Sequence, residues 1–336
     1  MSWKVLITAS GFRRTGQAAQ QRLGQAGCEL VSPPRSGPFL AAELTPLLSQ
    51  ADAVLASLDE FSAGVLASPS AARVKIISRW GVGYDSIDVS AATKQGIVVA
   101  YTPGLLDESV ADYAFALLLA LARRVHESHL AVRDGDWKPT WGNDVAGKTL
   151  GIVGCGRIGL AVARRANGFN MRVLAFSPRP KADAEKTGVK FVPLDQLLAE
   201  SDFVSLHAAL TTQSRGLLGE AQFARMKPAA YLINTARGAL VDEAALVRAL
   251  HENRLAGAAV DVFTTEPLPA DSPLRSAPNL LLSPHQASST FETGERVSFA
   301  AAQAILDLMN GRQPQNTLNP EVFNSPALRA VVTDGR

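Results

Sequence analysis

The sequence predicts an α/β protein built as two doubly wound parallel-sheet domains, Rossmann- or flavodoxin-like, with the cleft between them. Three observations carry this. Short apolar runs alternate with alanine-rich stretches of helical period in two segments of the 336-residue chain. One run, Leu150-Gly151-Ile152-Val153, feeds directly into a G-x-G-x-x-G turn. Polar residues also recur just past the apolar runs, where open parallel sheets place their ligands. Strand alternating with helix implies a parallel sheet covered on both faces.

The first α/β segment opens with a strand at 4–9, a helix at 15–26 and further strands at 53–56, 74–78 and 97–100. The second begins after Gly147-Lys148-Thr149, with strands at 150–153, 172–176, 203–206, 231–234, 257–262 and 280–282 and a helix at 242–253. Two longer apolar helices bracket it. Residues 108–124 carry Val110, Ala114, Leu117, Leu118 and Leu121; residues 292–309 carry Val297, Ala300, Ala304, Ile305 and Leu308. Both repeats have helical spacing. As carriers of the chain between domains they make the first domain discontinuous, 1–101 plus 290–336, around a second at 102–289. As ordinary core helices they would not. The segment 126–143, polar with Trp137 and Trp141, reads as a dimer arm or as a packed loop.

Composition narrows the classes. A net charge of +2 leaves no polybasic surface for nucleic acid or an anionic membrane. The longest apolar helical stretch, 114–122, is too short to cross a bilayer, which takes about 20 residues. Met1-Ser2-Trp3-Lys4-Val5-Leu6-Ile7 reads as a first strand, not a signal peptide. Cys28 and Cys155 make no disulfide framework, which suits a reducing, cytoplasmic compartment. No Cys/His spacing suggests a metal.

In Gly154-Cys155-Gly156-Arg157-Ile158-Gly159 the glycines have separate tasks. Gly154 permits the tight turn, Gly156 admits a pyrophosphate and Gly159 lets helix pack on strand. The amides of Arg157 and Ile158 then open a helix whose N-terminus favours phosphate. A merely structural turn would look similar. The next strand ends at Ser177-Pro178-Arg179-Pro180-Lys181, with no carboxylate until Asp183. An NAD site usually has Asp or Glu here for the ribose. Ser177 can instead hydrogen-bond a 2′-phosphate, Arg179 can grip it as a fork and Lys181 can add charge. NADP(H) is therefore expected to be preferred, with NAD(H) still possible; the plain alternative is a solvated basic loop.

Three further strand ends are polar: Asn234-Thr235-Ala236-Arg237-Gly238, Asp261-Val262-Phe263-Thr264-Thr265-Glu266-Pro267, and Ser283-Pro284-His285-Gln286. Taken singly, Arg237 could be a surface salt bridge, Glu266 a solvated acid and His285 a structural histidine. In this order, with Arg79-Trp80-Gly81-Val82-Gly83-Tyr84-Asp85-Ser86-Ile87-Asp88, Thr102-Pro103-Gly104 and Val241-Asp242, the chain resembles the D-isomer-specific 2-hydroxyacid dehydrogenase family. The resemblance runs from about Lys4 to Val322.

It implies hydride transfer between the dinucleotide and a short 2-keto acid or D-2-hydroxy acid. The arginine matching Arg237 binds the substrate carboxylate and polarises the C2 carbonyl. The histidine matching His285 gives the proton in reduction and takes it in oxidation, and the glutamate matching Glu266 keeps it protonated. Charge growing on the carbonyl oxygen needs such a cation and acid. The resemblance also assigns the amides of Val82 and Gly83 to the carboxylate, Asp261 to the nicotinamide carboxamide, and Thr235, Ala236 and His207 to the cofactor site. His126, His129 and His251 read as surface residues. A homodimer is implied.

Ser177 departs from the family's usual aspartate, and Gln286 stands where an aliphatic residue or asparagine is commoner. A chain ending near Arg336 is not expected to carry the regulatory extension of some phosphoglycerate dehydrogenases. Arg79 lies at a strand end, and Arg13 and Arg14 follow the first strand. Together they would suit a polar or anionic tail: hydroxypyruvate, glyoxylate, phosphohydroxypyruvate or a phosphonate analogue. If Arg79 instead pairs with a nearby acid, a small substrate such as glyoxylate or hydroxypyruvate fits. Dinucleotide-sensing corepressors of the same family are the non-enzymatic alternative, and a methyltransferase with the same glycine turn is a remote one.

Overall fold

The apolar runs pair edge to edge as parallel strands. The computed structural model describes residues 2–180, 184 and 186–333. Among the described residues, β1 (Lys4–Ile7), β2 (Glu29–Val31), β3 (Ala53–Ala56), β4 (Ile76–Arg79) and β5 (Val98–Ala100) form a five-stranded sheet ordered β2-β1-β3-β4-β5. A seven-stranded sheet is ordered β12-β11-β10-β9-β6-β7-β8. Its strands are β6 (Thr149–Val153), β7 (Arg172–Phe176), β8 (Val189–Phe191), β9 (Phe203–Leu206), β10 (Tyr231–Asn234), β11 (Gly257–Val260) and β12 (Leu280–Leu282). Every pairing within the two sheets is parallel.

The first order is flavodoxin-like and the second Rossmann-like. In each the winding reverses at a switch point, between β1 and β3 in one sheet and between β6 and β9 in the other. The chain divides into two compact units, Met1–Leu106 with Ser289–Arg336, and Asp107–Ser288.

Both faces of each sheet are apolar because both are covered. In β1, Val5 and Ile7 pack with Ala301, Ala302 and Ile305 of the helix Phe291–Met309, while Leu6 points to the opposite cluster with Leu44 and Leu48. In β6, Leu150 and Ile152 join Ala114, Leu118 and Leu121 of the helix Asp107–Arg123, and Val153 joins Leu246 and Leu250 of the helix Glu243–His251. Each fully buried aliphatic side chain stabilises the fold by roughly 1.5–3 kcal/mol. The strands therefore read as continuous apolar runs rather than alternating ones.

Several boundaries differ from expectation, each for a local reason. The first helix is two, Ser10–Thr15 and Gln17–Gln25, joined at Gly16. β11 stops at Val260 because Asp261 leaves the sheet to bind another loop. The helix Glu243–His251 starts after Asp242, whose carboxylate accepts from the Ala245 amide at 3.0 Å. Part of the segment 126–143 is a helix, Val125–Arg133, entered through Arg124 at φ 50°. Two edge strands, β2 and β8, were not anticipated; each has three residues.

One carboxylate organises the strand ends of the smaller sheet. Asp59, fully buried, accepts from the Thr8 hydroxyl at 2.5 Å and from the amides of Phe39 and Ser57, each at 2.9 Å. It ties together the loops that follow β1, β2 and β3.

Candidate active site

At the exit of β6 the backbone turns through Gly154 at φ 95°, a conformation L side chains rarely adopt. A Cβ there would lie 2.4 Å from the nitrogen of Ala208, just past β9, so glycine lets the two strand exits meet at the switch point. At Gly159 a Cβ would come within 2.4 Å of the Gly154 carbonyl oxygen, so this glycine seats the helix Arg157–Gly168 on its strand. Gly156 differs. A Cβ there would meet nothing within 4 Å, so packing within the protein does not demand glycine. No side chain caps the helix that begins at Arg157, with Ile158 half-buried behind it. An open approach to backbone at an uncapped helix N-terminus suits a pyrophosphate.

Neighbouring strand ends supply polar atoms that no described residue matches. Leu206 of β9 is in register with Asn234 of β10, which places His207 beside Thr235. His207 Nε2 lies 2.8 Å from Ser205 Oγ. Its Nδ1, like Thr235 Oγ1, is buried without a hydrogen-bond partner among the described residues. Burial pushes the His207 imidazole down to about 3, so it is neutral at ordinary pH. Orphaned buried polar atoms are rare in folded proteins. Two beside a glycine cradle fit a dinucleotide.

Ser177 stands half-buried immediately past β7, with its hydroxyl 3.4 Å from the Arg179 carbonyl oxygen; the Arg179 side chain is exposed. Lys181 and Asp183 lie outside the described residues.

The three polar segments singled out above converge within this one sheet. Glu266 Oε2 lies 2.7 Å from His285 Nδ1, and Glu266 Oε1 accepts from the Phe263 amide at 2.9 Å. Burial opposes ionisation of Glu266. The His285 hydrogen bond and charge, the Phe263 amide and the nearby Arg237 guanidinium outweigh it, and hold the carboxyl below its ordinary value. Arg237 extends from the loop after β10, with Nη1 donating to the Ala236 carbonyl at 2.7 Å. Asn234 folds this loop: its Oδ1 accepts from the Ala236 amide at 3.0 Å and its Nδ2 donates to the Arg237 carbonyl at 2.9 Å. A Cβ on Gly238 would come within 2.0 Å of the Phe263 carbonyl carbon. Glycine there lets the Arg237 loop press against the loop that carries Glu266. A cation, a carboxylate and an imidazole so arranged can bind an anion and hold a proton beside it.

Asp261 also has partners within the protein. Its carboxylate is fully buried, and its oxygens accept from the Ser283 hydroxyl at 2.6 Å and from the amides of Gln286 and Ala287 at 3.0 and 2.8 Å. These bonds fasten the histidine loop. Gln286 has an account of its own, since its Nε2 donates to the Tyr113 hydroxyl at 2.7 Å. Asn234, Gly238 and Tyr113 were missed by sequence reasoning. Only the strand-end motif containing Asn234 and Gly238 held any signal for them.

In the other unit, Arg79 is almost fully buried and serves its own turn, donating from Nε to the Gly83 carbonyl at 2.8 Å and from Nη1 to the Trp80 carbonyl. Thr102 Oγ1 accepts from the Gly81 amide at 2.9 Å. These contacts shape the turn that presents the half-buried Val82 and Gly83. Arg13 donates to the Pro33 carbonyl at 3.2 Å and to Ser36 Oγ at 3.1 Å, and Arg14 lies over the Phe291 ring. The expected cluster of three cations for a substrate tail is thus divided among local structural contacts.

Residues 115–287 match the sequence profile of the D-isomer specific 2-hydroxyacid dehydrogenase NAD binding domain. A glyoxylate reductase of Korarchaeum cryptofilum is 50% identical over 260 residues, 75% of this chain and 78% of that protein. A solved protein of Thermus thermophilus superposes with a TM-score of 0.84 at 41% identity, covering 94% of this chain and 99% of that one. A glyoxylate reductase structure from Paecilomyes thermophila gives 0.83 at 32% identity, covering 95% and 99%. The chain belongs to the D-isomer specific 2-hydroxyacid dehydrogenases, and is an oxidoreductase that depends on a nicotinamide dinucleotide.

Proposed function

We propose that this enzyme reduces a short 2-keto acid to the D-2-hydroxy acid with NADP(H), in the cytoplasm and as a homodimer. Unit Met1–Leu106 with Ser289–Arg336 binds substrate in this reading, and unit Asp107–Ser288 binds the dinucleotide. The observation that carries it is the 2.7 Å Glu266–His285 pair, beside Arg237, in the sheet whose β6 feeds the glycine turn.

The nicotinamide, when bound, supplies the hydride that reduces C2. Arg237 binds the substrate carboxylate and polarises the C2 carbonyl, and the amides of Val82 and Gly83 add hydrogen bonds to the carboxylate. Glu266 occupies His285 Nδ1, which leaves Nε2 to carry the proton for the nascent alkoxide. In oxidation the same nitrogen takes the proton back. Gly154, Gly156, Arg157, Ile158 and Gly159 receive the pyrophosphate; His207, Thr235 and Ala236 line the rest of the cofactor, and Asp261 takes the nicotinamide carboxamide. Ser177 and Arg179 meet the 2′-phosphate, which a carboxylate at position 177 would repel.

For the substrate, the internal contacts of Arg79 favour a small tail over a phosphorylated one. The glyoxylate reductase relatives support glyoxylate or hydroxypyruvate. The test follows absorbance at the reduced-nicotinamide band with NADPH and NADH in parallel, on glyoxylate, hydroxypyruvate and phosphohydroxypyruvate. NADPH loss fastest with one of the first two is expected. Equal rates with NADH would remove the cofactor preference, and no turnover with any of the three would remove the substrate class.

A further inference from the structure

We infer that Asp261, together with the Gln286–Tyr113 pair, positions the imidazole of His285. The inference rests on the reading of His285 as the group that delivers the proton.

His285 sits at φ 50°, in the left-handed region that non-glycine residues seldom enter. Such a backbone persists only where its surroundings over-determine it, and such sites cluster at functional loops. Here the surroundings centre on Asp261. Its backbone carbonyl accepts from the His285 amide at 2.7 Å. Its Oδ1 accepts from Ser283 Oγ at 2.6 Å and from the Gln286 amide at 3.0 Å, and its Oδ2 from the Ala287 amide at 2.8 Å. One residue thus holds the positions on both sides of His285 as well as His285 itself. The carboxylate is fully buried, where charge-assisted hydrogen bonds are strong and rigid.

A second tether comes from outside the loop. Gln286 Nε2 donates at 2.7 Å to the hydroxyl of Tyr113, on the helix Asp107–Arg123 that packs its apolar face into the core. An aliphatic residue at 286 could not make this bond. With the Cα of His285 fixed by the loop and its Nδ1 fixed by Glu266, the direction of Nε2 is set at both ends of the ring. Asp261, Gln286 and Tyr113 are therefore positioning residues.

The test compares Asp261→Asn, Ser283→Ala, Gln286→Leu, Tyr113→Phe and the double variant Gln286→Leu/Tyr113→Phe with the wild type. Measured are kcat and KM for the keto acid, Kd for NADPH, and the His285 ring signals by NMR. Misplacing a reacting group by about 1 Å costs on the order of 100-fold in rate. Asp261→Asn should approach that loss in kcat and shift the His285 ring signals. Ser283→Ala, Gln286→Leu and Tyr113→Phe should each lower kcat several-fold at constant KM, and the double variant should be no worse than either single. His285 ring signals unmoved in Asp261→Asn, with kcat intact in the other variants, would leave Asp261 a cofactor contact alone and overturn the inference. Additive losses in the double variant would overturn the tether. If Asp261→Asn fails to fold, Ser283→Ala and the Gln286–Tyr113 cycle decide. If the wild type turns over no keto acid, the functional reading fails separately. The ring signals then decide the clamp: shifted in Ser283→Ala they support it, unmoved they overturn it.

Discussion

Glu266, His285 and Arg237 come from three strand ends, and each is held by backbone as well as by its neighbours. Because the 2.7 Å contact engages only Nδ1 of the imidazole, the other nitrogen keeps its proton capacity. His285→Ala should therefore cut kcat by about 100- to 1000-fold while KM moves little. Arg237→Ala should raise KM and lower kcat together, since in the proposed role the guanidinium serves both the ground state and the transition state. Steady-state kinetics on glyoxylate check both, and near-full activity in His285→Ala would refute the role. Acid sensitivity has two sources. Glu266 is held below its ordinary value, so its stabilising contribution is present above that value and is lost as pH falls through the folded one. His207, buried at about 3 against about 6.5 when unfolded, acts in the same direction. Between those values the unfolded chain binds one more proton, so acidification destabilises the fold. At pH 4.5 the His207 share is on the order of 2 kcal/mol. His207→Asn should narrow the gap between urea midpoints at pH 7 and pH 4.5; an unchanged gap would show that His207 is solvated in the native protein.

The glycine turn separates two demands that sequence alone runs together. Gly159→Ala would drive a Cβ to 2.4 Å from the Gly154 carbonyl oxygen, and so should lower the thermal midpoint. Gly156→Ala meets nothing within 4 Å, and should leave the midpoint intact while weakening NADPH binding at least ten-fold. Thermal melts and dinucleotide titrations distinguish the two; loss of stability in Gly156→Ala would contradict the assignment. At the next strand end, Ser177→Asp should shift preference toward NADH by repelling the 2′-phosphate, and an unchanged NADPH/NADH ratio of kcat/KM would dismiss that contact. Strands and helices with long apolar runs were legible because burial on both faces leaves a continuous signal, as in β6 and β9. β2 was not, since Glu29–Val31 is a short edge strand with two of its three residues exposed. Arg237, Glu266 and His285 were legible from motif order. The contacts that occupy Arg79, Asp261 and Gln286 depend on loop geometry, which no period in the sequence encodes: Arg79 closes on a carbonyl four residues ahead, and Gln286 on a tyrosine 173 positions away.

For the molecule as a whole, the helix Val125–Arg133 stands apart because it buries none of its residues. Val125, Leu130 and Val132 are 56, 43 and 52% exposed, and Trp137 and Trp141, shortly beyond it, are 86 and 90% exposed. Exposed large apolar side chains elsewhere, such as Leu40, Phe291 and Val331, are scattered along the chain, so this concentration within one segment suits a partner surface. The proposed homodimer would satisfy it, because a two-fold interface pairs the same patch with itself and leaves no unmatched apolar face behind. Light scattering should then give a mass twice the 35.5 kDa of the chain. Leu130→Glu combined with Trp137→Ser places charge and polarity in the centre of that patch, and should convert the protein to monomer without changing its circular dichroism. A wild-type monomer at micromolar concentration, or a variant that stays dimeric, would move the interface off this segment.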